Sequence, residues 1–414
     1  MVKCWMISNI GYPTLFYLNI LATTRGVLII ISTMGNHNLA LIDGAVWSWG
    51  LNSYGQLGVD SPDVGEKQEV PARFVDLVGV ASVAAGKMFS LALGKNGFVY
   101  TWGWDYNTHV NHDLTFQKCP APVQVKGLHD IISIVAGAHH SLALDRHGCV
   151  WAWGNNYWGQ LCCNVLGNHS PMRVEGLGNN IVAISSGANH CLVLDEDGGV
   201  WAWGNNDYGQ LRGDFDDGVR SVVPVKVNDN LPKAVSVHAG YFNSFALSKD
   251  GSVWMWGKGL HLDKAWFLLP EKVEGLPKVA SVVAGEHHVL ALDVNGSVYA
   301  WGDNNYGQLG GGDVLDVLIA LSDSRGNSMS MPFRLDDLPE VKSISAGSGH
   351  SLVLCKDNSM YSWGLNHYGQ LGDGTTVQRF TPVCIKDSSI KKDLDNSLID
   401  GLLPGASIAK RSLL

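Results

Sequence analysis

A Trp-Gly pair recurs seven times along the chain, at Trp49, Trp102, Trp153, Trp203, Trp256, Trp301 and Trp363, with spacings of 53, 51, 50, 53, 45 and 62 residues. A period near fifty marks a repeat architecture, in which no unit can bury its apolar face alone. The copies agree well beyond the pair. Residues 131–161 read IISIVAGAHHSLALDRHGCVWAWGNNYWGQL and residues 181–211 read IVAISSGANHCLVLDEDGGVWAWGNNDYGQL.

Each copy reads as short strands. A β-branched run (residues 131–135) ends at a Gly turn, Leu142 and Leu144 alternate with Ala143, and a second turn leads to residues 149–153. That second turn is Asp43-Gly44, Asn96-Gly97, Asp197-Gly198, Asp250-Gly251 or Asn295-Gly296, pairs suited to two-residue hairpins. Aromatics two apart, such as Trp151 and Trp153, share one face of the last strand. A fourth strand is expected near Pro122-Val123, Pro171-Met172, Pro224-Val225 and Pro382-Val383. Seven such units arranged radially can stack their aromatic faces and close on themselves. The expected fold is therefore all-β, a seven-bladed β-propeller of four-stranded antiparallel blades. The first repeat shows only its later strands clearly, whereas residues 381–386 read as an orphan first strand, so closure by the C-terminal segment is expected. Residues 15–21 could fill the same slot.

Composition excludes other classes. The chain is 46% hydrophobic and only 16% charged, with 49 Gly among its 414 residues, which fits neither a disordered chain nor a long helical one. A net charge of −9 argues against retention on nucleic acid by counterion release. Eight Cys without C-x-x-C spacing read as reduced thiols, hence an intracellular compartment, cytoplasm or nucleus. The apolar stretch after Lys3 is interrupted at Ser8, Asn9, Gly11, Pro13 and Asn19, which weakens a secretory reading, and no run reaches the ~18 apolar residues of a membrane span. The expected organisation is an N-terminal segment (1–26), a propeller (27–386) and a C-terminal tail (387–414).

The G-x-x-H-S-L-A-L turn, the hairpin, V-W-x-W-G and N-x-Y-G-Q-L-G together resemble the repeats of the regulator of chromosome condensation family, over residues 27–386. The resemblance implies a rigid disc that binds proteins, and its name-giving member is a guanine-nucleotide exchange factor for the small GTPase Ran. That factor carries acidic residues in several first turns. Glu286 matches, whereas Lys87, Ala138, Ala188, Tyr241 and Ser348 depart from the pattern. Residues 1–25 hold only Lys3 and Arg25, unlike the basic tail of the chromatin-bound branch, and no first turn has the Gly-Trp of the photoreceptor branch. The expected partner is a protein, a Ran-like small GTPase, met by a monomer. The alternative is an adaptor or inhibitor propeller for another protein.

Comparison among the repeats separates scaffold from site. His37, His140, His190, His288 and His350 occupy the first turn of five repeats, and the same five carry Gln56, Gln160, Gln210, Gln308 and Gln370 in an aromatic-Gly-Gln-Leu loop. Repeats two and five, with Phe89 and Asn243, lack both, so each His is expected to pack or hydrogen-bond with its own repeat's loop as scaffold. Eleven of fifteen Trp fall on repeated strand positions, but Trp104 and Trp266 lie in the two irregular loops, residues 104–119 and 258–269. Trp and Tyr are favoured interface anchors. The expected partner-binding residues are therefore Trp104, Asp105, Tyr106, His109, His112, Trp266 and Glu286. No catalytic residue, metal site or cofactor is expected, because no acid-base pair or ligand cluster rises above the repeat pattern.

Overall fold

The computed structural model describes residues 29–59, 65–75, 77–104, 118–163, 167–211, 220–227, 230–259, 266–313 and 328–385. Asp105, Tyr106, His109 and His112, together with segments 1–26 and 387–414, lie outside the described residues. Seven four-stranded antiparallel sheets follow one another in chain order, each a simple meander. They form blades 1 to 7, at residues 29–75, 80–124, 131–173, 181–227, 234–272, 279–335 and 341–384. No helix among the described residues is long and apolar enough to cross a membrane.

The core is divided among the blade junctions. Leu39, Leu41 and Val46 of blade 1 meet Val83, Ala92 and Trp102 of blade 2 in one apolar cluster. Six further clusters repeat the arrangement round the ring, ending with Trp49 of blade 1 on Leu352, Leu354 and Met360 of blade 7. Each Trp of the Trp-Gly pairs is at most 1% exposed. Truncating a side chain so buried to Ala costs roughly 3–5 kcal/mol. The second strands, such as His140–Asp145, are buried along their whole length, whereas fourth strands such as Trp266–Lys272 are largely exposed.

Every fourth strand carries a proline at its middle: Pro71, Pro122, Pro171, Pro224, Pro270, Pro332 and Pro382. In each blade it falls in a register break opposite the Trp of Trp-Gly. In blade 4, Ala202 pairs Val225 and Gly204 pairs Ser221, with Pro224 between.

Two sequence expectations are corrected. Residues 381–386 are not an orphan first strand: Arg379–Cys384 pairs with the third strand of its own blade, Tyr361 opposite Cys384, and blade 1 has its own first strand, Ile29–Thr33. Pairing with a near neighbour in sequence costs less loop-closure entropy than bridging the whole chain. No strand is exchanged among the described residues, and blade 1 meets blade 7 through side-chain packing and isolated backbone bonds, Ser348 amide to Gly35 carbonyl (3.1 Å) and Gly374 amide to Glu69 carbonyl (3.0 Å), with no strand pairing. Residues 15–21 lie outside the described residues. The second turns also differ from expectation. Only in blade 1 are both turn residues left-handed, with φ of 48° at Asp43 and 82° at Gly44. In blades 2 to 6 the glycine alone is left-handed, and in blade 7 Asn358 is. In blade 3 the Asp145 carboxylate accepts the amides of His147 (2.8 Å) and Cys149 (3.0 Å), holding a longer type I turn, and Asp195 and Asp293 do the same in blades 4 and 6.

Candidate protein-binding face

Each third strand leaves its blade beside that blade's first turn. The residue after Trp-Gly donates its amide to the carbonyl preceding the His position, as in Trp104 to Met88 (3.0 Å) and Lys258 to Phe242 (3.0 Å). All first turns and the third-strand ends of every blade, Trp104 and Lys258 included, therefore lie on one face of the disc. The inner strands line a channel of about 390 Å³. On this face the turns close over it. Tyr241 is 3% exposed and clusters with Met34, Ala138 and Ala188. Its hydroxyl meets Ser348 Oγ (3.2 Å), and Lys87 Nζ lies 5.9 Å from its ring centroid.

The five histidines are scaffold, but their partners are not in their own loops. His37 Nε2 meets Ser90 Oγ of the next blade at 2.9 Å, and Ser90 Oγ donates to the Gln56 carbonyl at 2.8 Å. Trp102 Nε1 donates to the same carbonyl at 2.9 Å. The serine's one proton is thus committed, and the imidazole donates from Nε2. The same clasp recurs through His190, Ser244 and Gln210, and through His288, Ser351 and Gln308. Cys191 takes the serine's place beside His140 and Gln160, and Asn38 does so beside His350 and Gln370. His and loop are therefore linked through the neighbouring blade, which corrects the expected direct contact. Burial pulls all five imidazoles down to about 3. Nδ1 has no hydrogen-bond partner in any of them.

Two aromatic clusters stand on the face, one at each irregular blade. In the first, half-buried Trp104 lies against Tyr54 (centroids 5.3 Å apart) and edge-on to His139 of blade 3 (5.7 Å). Burial, and then the charge of Lys87, lower His139 to about 4. In the second, Phe242 stacks on His287 of blade 6 (6.1 Å) and contacts Tyr208 (5.3 Å), with Lys258 Nζ 4.8 Å from the Phe242 centroid. Glu286 lies 3.9 Å from His287, whose pKa is lowered by burial and by Lys258, so the imidazole is neutral near pH 7 and the pair is not ionic. Trp266 is 51% exposed and pairs with Lys258 across the sheet, at the same end of blade 5.

Of the expected partner residues, the structure thus places Trp104, Trp266 and Glu286 on one face, with Trp104 and Trp266 at the ends of strands Val99–Trp104 and Trp266–Lys272 and not in the connecting loops, because their backbones still pair with Lys118 and Lys258. Lys258, Phe242, His287 and His139 were missed. Their signal lay in two repeat positions, the residue after Trp-Gly and the one before the His position, which change character at blades 2 and 5 and at the blades that follow them.

A seven-bladed disc with this turn, clasp and loop is a propeller of the RCC1 type, and the chain belongs to that family. The RCC1-like domain model matches residues 13–264, and the regulator of chromosome condensation (RCC1) repeat matches residues 279–308 and 341–370. Among relatives, the chain is 30% identical over 381 residues to the ultraviolet-B receptor UVR8 of Arabidopsis thaliana, covering 88% of this chain and 71% of the receptor. It is also 30% identical over 389 residues to the guanine nucleotide exchange factor SRM1 of Saccharomyces cerevisiae, covering 84% and 71%. The solved structure of Prp20p from Saccharomyces cerevisiae, a protein with binding properties toward Gsp1p and histones, superposes with a TM-score of 0.74 at 24% identity, over 89% of this chain and 91% of that one.

Proposed function

We propose that the turn face binds a small GTPase of the Ran class and promotes release of its guanine nucleotide. One observation carries the reading: the two blades that depart from the repeat, three apart in a ring of seven, carry Trp104, Lys258 and Trp266 on the same face. One globular partner can span both, with Trp104 and Trp266 as anchors and Glu286 on the same face. Similarity to a yeast exchange factor supports the choice of partner. Exchange of this kind breaks no covalent bond. A propeller that binds the nucleotide-free GTPase more tightly must weaken nucleotide affinity by the same factor. The test is release of labelled GDP from purified Ran at micromolar propeller, with acceleration expected.

A second reading is a propeller adaptor or inhibitor with a different protein partner. It is favoured by the first turns, where Ala138, Ala188 and Tyr241 fill the centre and Glu286 is the one acidic residue beside a turn glycine. Binding of another protein to the same face without any GDP release would establish it in place of the first.

A further inference from the structure

The distribution of clasps divides the ring. They join blades 1 and 2, 3 and 4, 4 and 5, 6 and 7, and 7 and 1. Among the described residues no clasp joins blades 2 and 3 or blades 5 and 6. Blades 3 to 5 thus form one clasped arc and blades 6, 7, 1 and 2 the other. The first turns give the same division, whereas the second turns, at the opposite ends of the strands, bond across both seams, Ile131 amide to Gly97 carbonyl (3.3 Å) and Val279 amide to Gly251 carbonyl (3.0 Å). The amide of Ala138 donates to the Ala188 carbonyl and that of Ala188 to the Tyr241 carbonyl, linking blades 3, 4 and 5, while the amide of Ser348 donates to the Gly35 carbonyl, linking blades 7 and 1. Both sets stay within an arc.

The two seams are built differently. At blades 2 and 3, Phe89 replaces the His, yet the rest of the clasp remains. Ser141 Oγ and Trp153 Nε1, both 0% exposed, have no hydrogen-bond partner among the described residues, and neither has Thr101 Oγ1. In blades 1 and 7 the position of Thr101 is Ser48 and Ser362, which donate to the Leu57 and Leu371 carbonyls. At blades 5 and 6 two of these three donors are replaced, by Met255 and Val289, while Trp301 keeps its indole, and His238 Nε2 accepts the Ala284 amide at 2.9 Å. Apolar packing is present at every junction, so the seams differ from the other junctions in their polar chemistry. Buried polar groups without partners oppose burial at the first seam.

We infer that the propeller is two rigid arcs hinged along a line through the two seams, and that it opens first between blades 2 and 3, then between blades 5 and 6. The junction of blades 7 and 1, where the chain is discontinuous, is clasped and stays shut. Tyr241 sits where the hinge line meets the axis, and its bond to Ser348 joins the arcs there. On the candidate face, Trp104 with His139 and Phe242 with His287 each bridge one seam. The inference does not depend on which partner binds.

The position after the turn His supplies an internal reporter, because it is Cys191 in the clasped junction of blades 3 and 4 and buried Ser141 or Val289 at the seams. Peptide-resolved alkylation kinetics on the full chain, under native conditions, compare Cys191 with the thiols of Ser141→Cys and Val289→Cys variants. Neither substitution removes a hydrogen bond. The expected order is Ser141→Cys fastest, Val289→Cys next, and both at least about tenfold faster than Cys191 and the equally buried Cys355. Equal rates at all four sites, or faster labelling of Cys191, would overturn the two-arc reading. Adding Phe89→His to Ser141→Cys recreates the His140–Cys191 pair and should slow that site alone. An unchanged rate would show that the clasp does not hold a junction.

Discussion

At the residue scale the histidine clasp makes two predictions. His140→Ala leaves Ser186 Oγ, 2.7 Å from the imidazole, without that partner in a buried site, and should lower stability by about 1–3 kcal/mol in urea titration. Asn243→Ala should cost less, since Asn243 Oδ1 has no partner and Nδ2 makes only a 3.5 Å contact to the Lys258 carbonyl. The second prediction concerns acid. The five folded-state values lie near 3, below the ~6.5 of the unfolded chain, so unfolding takes up protons as pH falls. This contribution is complete above pH 6.5 and is lost downward toward pH 3. Stability from urea titration followed by tryptophan fluorescence should therefore fall steadily from pH 6.5 toward pH 4, with protons taken up on unfolding. A stability unchanged over that range would mean that the imidazoles are not held neutral by burial. The coupling of His and loop was legible in the sequence because both vanish in the same repeats. The intermediary was not, since Ser90, Cys191, Ser244, Ser351 and Asn38 belong to the following repeat and co-occurrence does not specify contact.

At the element scale, the Trp-Gly and Gly-x-x-His signatures reduce to close approach of chains. Gly204 has φ of 102°, and a Cβ there would lie 2.5 Å from the Asn189 carbonyl oxygen; one on Gly187 would lie 2.4 Å from His190 Cε1. Gly204→Ala should therefore destabilise by more than about 2 kcal/mol, checked by thermal unfolding, because the colliding atom is backbone and cannot swing away. Truncation after Trp363 should also be severe, though not by removing a closing strand. It deletes the Gln370 carbonyl, which accepts Trp49 Nε1 (3.1 Å) and Asn38 Nδ2 (2.8 Å), and so breaks the clasp between blades 7 and 1. A soluble truncated chain with an unchanged melting temperature would contradict that account. Strand periodicity and blade number could be read from the sequence because alternation and Trp-Gly spacing are local. Turn type could not, since Asp-Gly and Asn-Gly serve both turn lengths, and the acceptor that holds the longer turn differs between blades, Asp145 in blade 3 but Asn96 in blade 2 and Asp250 in blade 5.

At the scale of the whole molecule, the irregular loops were visible as departures from a repeat, but the clusters that share their face come from turns of adjacent blades and needed the ring to be assembled. Trp266→Ala is the cleaner test of the binding face, because that side chain is half exposed while Trp104 packs across a seam. It should weaken partner binding by about 2 kcal/mol, roughly thirtyfold, with the melting temperature unchanged. The outer prolines bear on a different hazard. A ring of separate sheets has seven free edges, each a potential template for strand addition and fibril growth. With an imide and a register break at the middle of every rim strand, an incoming chain would find only two or three continuous pairing positions before the ladder fails. The molecule can therefore stay dispersed at high concentration without capping its rim, and association is left to the flat faces, where side chains rather than backbone decide what binds.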